Sequence, residues 1–139
     1  MLAQLVRRFL RRGAAPAPEL RGRPAIRREK SYAADSGYVY QYTYEGYRPT
    51  TRDGVKGRQF VFDCSSDRAS RFSLSIFAPT DSFAEWERDA DRELNEVERY
   101  AVVKMRLFEI FDESEYIRGR LEAELNTEQV ERHVEALDL

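Results

Sequence analysis

An α+β domain is the fold class that this sequence predicts: a three-stranded antiparallel meander packed against two main helices, with a basic N-terminal arm before it and a helical C-terminal extension after it. Three observations carry that expectation. From Tyr38 to Phe77 apolar and aromatic residues alternate with a period of two, the spacing of half-buried strands. From Ser82 to Phe111 they recur three and four apart, the spacing of helices. Strands followed by helices, rather than alternating with them, point to α+β. The charge is also segregated: residues 1–30 hold nine basic residues against Glu19 and Glu29, while residues 81–139 hold eight basic against eighteen acidic.

Residues 1–30 read as a flexible basic arm. Within it Leu2, Leu5, Val6, Phe9 and Leu10 make one face of a short amphipathic helix at 2–12, with arginines on the other face, and Gly13 to Pro18 break it. Residues 31–112 read as the α+β domain. Its first strand places Tyr38, Tyr40, Tyr42 and Tyr44 on one face, and Gly46 to Gly57, with Pro49 and Asp53-Gly54, reads as a long hairpin loop. A second strand from Arg58 to Cys64 turns Phe60, Phe62 and Cys64 to one side. A third from Arg71 to Phe77 does the same with Phe72, Leu74 and Ile76.

Ser82 with Glu85 suggests a capping box for a first helix that presents Phe83, Trp86 and Ala90. Asn95 with Glu98 suggests a stronger one for a helix from Glu96 to about Asp112. Its apolar residues, from Val97 to Phe111, cover about half its circumference, which marks it as the central core helix. Residues 113–139 read as an acidic helical extension: Ile117, Leu121 and Leu125 form one thin stripe, and Thr127 caps a last helix carrying Val130, Val134 and Leu137.

Composition narrows the chemistry. No apolar stretch approaches the roughly 20 residues that a membrane-spanning helix needs. The one cysteine, Cys64, excludes an intramolecular disulfide, and the one histidine, His133, excludes a three-histidine metal site. Lys56 to Phe62 resembles the RNP1 signature of RNA-recognition motifs in its Lys-Gly start and Phe-Val pair. Arg58 and Gln59, however, stand where that family needs an aromatic and a small residue. Asp89, Asp91 and Glu93 resemble the start of an EF-hand loop, with Leu94 in place of its glycine and Tyr100 in place of its bidentate glutamate. Arg23 to Arg27 with Asp63-Cys64-Ser65 faintly resembles a PilZ pattern, with Arg68 where a glycine belongs. No Gly-rich phosphate loop and no nucleophile–base spacing is present, so no catalytic, cofactor or metal residues are assigned.

Two features survive. Lys104 sits inside the apolar arc of the central helix between Tyr100 and Phe108, an unusual place for a charge. Its aliphatic stem is expected to cover apolar surface while the ammonium reaches water. The four tyrosines are either core or an exposed interaction surface, and period alone does not decide which. The expected function is a small non-catalytic protein-interaction or self-association domain of the cytoplasm, with mitochondrial targeting by residues 1–12 as the lesser alternative. A weak nucleic-acid binder acting through residues 1–30 is the second candidate. A small-molecule-binding or enzymatic domain with a pocket near Lys104 is the third.

Overall fold

The computed structural model describes residues 18–114 and 119–139, so the expected helix at 2–12 and Ile117 lie outside the described residues. The alternating run from Tyr38 does form a strand, but the chain stays extended well past the point where glycines and a proline suggested a loop. Strand β2 runs from Val39 to Arg52, and β3 from Val55 to Ser65. The connection between them is only Asp53-Gly54, whose φ angles of 52° and 80° are the positive pair that a two-residue hairpin demands. Pro49 is tolerated because this half of β2 pairs only with β3 among the full strands, leaving its other side without a ladder partner to lose.

The remaining elements are β1 (Lys30–Ala33), β4 (Phe72–Pro79), α1 (Thr80–Ala90), α2 (Glu96–Glu113), β5 (Arg120–Glu124) and α3 (Thr127–Ala136). The five strands form one sheet in the order β1-β2-β3-β4-β5. The first four are antiparallel, and β5 returns after two helices to lie parallel to β4. The α+β class therefore holds, while the three-stranded meander is corrected to a five-stranded mixed sheet with three helices among the described residues.

The strand at 120–124 corrects the helix expected there. Leu121 and Leu125 fit a helical period of four, but Leu121, Ala123 and Leu125 fit a strand period of two equally well. The vacant edge of β4 settles the choice, because its backbone groups need partners. Leu125 ends fully buried, and Arg120, Glu122 and Glu124 face outward on a short charged edge. Residues 119–139 are thus packed into the domain rather than appended to it.

Helix starts follow side-chain capping with local corrections. Asn95 and Glu98 form the expected capping box, and Asn126 with Gln129 forms a second, one residue before the expected Thr127. Helix α1 begins two residues before Ser82, with Pro79 at its N-cap and no side-chain cap. The core lies between the sheet and the helices. Tyr40, Phe62, Leu74 and Ile76 meet Val102, Val103, Leu107 and Phe111, and Val130 closes one end. Glu109 joins α2 to α3 by accepting from Arg106 at 3.3 Å, from Arg132, and from His133 Nε2, which lies 2.9 Å away. Burial pushes the Glu109 carboxyl up, but His133 and then Arg132 outweigh it and hold it below the usual carboxylate range.

Candidate binding cleft

The concave surface of the domain begins at an irregularity in β2. Tyr44 pairs with Phe62, and the register then shifts so that Gly46 faces Val61 and Tyr47 faces Phe60. In a regular strand Tyr44 and Tyr47, three residues apart, would point to opposite faces. The bulge inserts one residue and reverses the parity, so Tyr47 joins Tyr42 and Tyr44 on the face shared by Phe60 and Phe62. Gly46 permits this with φ 114°; a Cβ there would sit 2.5 Å from the Arg21 carbonyl oxygen.

That closeness has a purpose in the fold. Arg21 and Tyr47 exchange two backbone hydrogen bonds at 2.7 and 2.8 Å, which brings the chain before β1 alongside the free edge of β2. The segment then stays there through ion pairs on the outer side. Arg23 meets Glu45 at 3.2 Å, Arg27 bridges Glu45 and Asp63, and Arg71 reaches both Asp63 and Glu29. Its inner side, Gly22 to Lys30, forms one wall of a cleft of about 560 Å³. The floor is Tyr42, Tyr44, Tyr47 and Phe60, and the opposite wall is the first turns of α2, with Glu96, Val97 and Tyr100.

The cleft is aromatic, and its rings are fixed by one another. Tyr44 lies 4.5 Å from Tyr100 and 5.3 Å from Phe62 between centroids, and the Arg58 guanidinium covers Tyr47 at 4.4 Å. The hydroxyls divide sharply. Outside the cleft, Tyr32 donates to Asp112 at 2.9 Å and Tyr40 donates to the Ser114 carbonyl at 3.2 Å. In the cleft, the hydroxyls of Tyr42, Tyr44, Tyr47 and Tyr100 have no hydrogen-bond partner among the described residues. Burial, and then the neighbouring Tyr42, push Tyr100 up to about 12; burial and then Tyr100 raise Tyr44 further. Tyr42, Tyr44 and Tyr100 stay protonated near neutrality and can donate as well as accept.

The tyrosine row is therefore not a continuous outward platform. Tyr40 is fully buried and stacked on Phe111 at 4.1 Å, Tyr42 is buried at its side, Tyr44 floors the cleft, and only Tyr38 is exposed. Tyr47, Tyr100 and Phe60 complete the site. Sequence reasoning missed Tyr47 because it is out of phase until the bulge is known; Gly46, beside four alternating tyrosines, was the available signal.

Lys104 lies one helical turn from Tyr100, its Nζ 5.8 Å from the ring centroid, half-buried and outside the cleft lining. Burial, and then the charge of Lys30, lower its pKa. No carboxylate lies within ion-pair distance of it among the described residues. A depressed pKa in the fold means that the charged form opposes folding below that value. Lys104→Met, which keeps the stem and removes the charge, should therefore raise the unfolding free energy at neutral pH by between zero and about 1 kcal/mol. A urea midpoint that falls by the equivalent of about 3 kcal/mol would show instead a tightly paired ammonium.

The other chemical candidates are separated. Cys64 is fully buried in the sheet, and burial raises its thiol far above the ordinary value. His133 is engaged by Glu109. Among the described residues no cluster of three or more histidine, cysteine or acidic side chains is placed to hold a metal ion, and no helix is long and apolar enough to cross a membrane. A smaller cavity of about 220 Å³ adjoins Phe60 and is lined by Arg58 and Arg99, whose charges are already met by Glu96 and Glu87. What fold and site define together is a small α+β domain with an aromatic cleft between its docked N-terminal segment and its central helix. Comparison of the chain with protein-family profiles, with curated proteins and with solved structures finds no match in any of the three.

Proposed function

We propose that this chain is a non-catalytic binding domain that holds a small, largely apolar ligand in the cleft between residues 22–30 and α2. The observation that carries this is an apolar volume of about 560 Å³ lined by Tyr42, Tyr44, Tyr47, Tyr100 and Phe60, whose tyrosine hydroxyls make no hydrogen bond among the described residues. A pocket of several hundred Å³, lined by rings and provided with a few convergent polar groups, is the usual form of a small-molecule site. The absence of a catalytic constellation on the cleft walls favours binding over turnover. Two exposed apolar residues stand at its lips, Ile26 at 65% and Val97 at 77% exposure, and they extend the apolar surface to any ligand seated there.

Those same lips support a second proposal, a protein-interaction role in which a partner inserts an apolar side chain between them. A nucleic-acid role draws less support. Arg23 and Arg27 are turned to Glu45 and Asp63, which leaves fewer cations of the segment free for phosphates.

Binding of the neutral fluorophore phenylnaphthylamine tests the cleft. Saturable one-to-one binding is expected. Ile26→Asp combined with Val97→Asp should weaken it about tenfold while leaving the denaturant midpoint unchanged, because both residues are exposed and the loss is of apolar contact with the ligand. Binding that ignores both substitutions would place the ligand elsewhere and remove the proposal.

A further inference from the structure

We infer that the ligand of this cleft is an organic anion: a flat aromatic or branched apolar body carrying a carboxylate-like or sulfonate-like group. This rests on the cleft being the binding site, and it follows from how the charges around it are spent. Glu96 belongs to the cleft lining, and its carboxylate is already held by Arg58 at 2.7 Å. Arg28 and Lys30 also line the cleft, exposed, with no carboxylate within 4.0 Å among the described residues. Lys104 adds a third unpaired cation one turn along α2.

Many of the arginines of the domain are ion-paired, whereas, among the described residues, the two basic residues that line the cleft are not. Arg23, Arg27, Arg58, Arg71, Arg99, Arg106 and Arg132 each face a carboxylate. In a chain with a formal net charge of -2, anions are not drawn in by the overall field, so any preference for them at the cleft comes from Arg28 and Lys30 acting locally. Lys30 and Lys104 are close enough for the charge of one to disfavour that of the other, a repulsion that a bound anion would relieve. The protonated hydroxyls of Tyr42, Tyr44 and Tyr100 would donate to the same anion, and the rings would cover its apolar body. A basic peptide, by contrast, would meet Arg28, Lys30 and Lys104 with like charge.

A matched pair of fluorophores tests this. Anilinonaphthalene sulfonate has the body of phenylnaphthylamine plus one anionic group. The full chain should bind the sulfonate about 5–10-fold more tightly than the neutral dye at about 20 mM salt. The advantage should shrink toward unity at about 500 mM, where exposed charges are screened. Arg28→Gln with Lys30→Gln should abolish the advantage and leave neutral-dye affinity within about twofold, with cooperative unfolding retained to exclude dye uptake by a loosened core. Equal or weaker binding of the sulfonate, with neutral-dye binding still dependent on Ile26 and Val97, would overturn the anion assignment and leave the cleft as the binding site. An advantage that survives the substitution of both lining cations would also overturn it, since the anion would then be recognised elsewhere. Failure of both dyes to bind would overturn the cleft reading and the anion assignment together.

Discussion

Phe111→Ala is expected to remove about 3–5 kcal/mol of unfolding free energy, the range for deleting a buried ring whose cavity does not collapse. Phe111 is fully buried on α2 and sits where sheet and helix meet. It stacks on Tyr40 with an interplanar angle of 4° and lies at 6.2 and 6.3 Å from the rings of Tyr32 and Tyr42. Those neighbours are tied in place. Tyr40 is hydrogen-bonded to the Ser114 carbonyl and Tyr32 to Asp112, so they have little freedom to move into the void. Phe108 provides the internal comparison. It is half-buried and stacks on Tyr32 at 4.0 Å, and its alanine variant should cost less than half as much. Urea titrations of the two variants would decide; equal losses would mean that the core is centred nearer the Tyr32 edge than burial indicates.

The second large effect falls on Gly46→Ala. Two penalties combine there. Alanine is strained at φ 114°, and its Cβ would lie 2.5 Å from the Arg21 carbonyl oxygen, a backbone atom that cannot swing aside. Together these should cost about 2–4 kcal/mol, or be relieved by releasing the Arg21–Tyr47 pairing. Either way the wall of the cleft is disturbed, so amide exchange at Arg21 and Tyr47 should accelerate and dye binding should fall. Gly54→Ala is the control: φ is 80° there, but no atom lies within 4 Å of the new Cβ, so only the conformational strain of about 1 kcal/mol remains. If the two alanine variants have the same midpoint and the same exchange rates, the docked segment contributes nothing to the domain.

The chemical inventory was legible in the residues themselves. A single cysteine and a single histidine limit what the chain can assemble, whatever its fold. The aromatic alternation of Tyr38 to Tyr44 and the apolar arc of residues 97–111 likewise identify a strand and a core helix without reference to anything distant. Capping at Asn95 was legible for the same reason, since the capping box is made within four consecutive residues.

What failed was every feature whose stabilisation comes from elsewhere in the chain. Residues 120–124 carry a pattern that serves helix or strand, and the open edge of β4 chose the strand. The segment 46–57 carries glycines and a proline, yet pairing with β3 kept it extended, with only Asp53-Gly54 needed to turn. Residues 18–30 show no apolar periodicity of their own and are held by the edge of β2 and by Glu45 and Asp63.

By itself, then, the sequence determined the α+β class, the apolar faces of β3 and β4, the central helix and the single cysteine and histidine, because these rest on local periodicity and composition. Only the tertiary structure decided which tyrosines are core and which line a cleft. That depends on a single inserted residue at the β2 bulge, which reverses side-chain parity, and on a segment of chain brought against the sheet edge by backbone pairing.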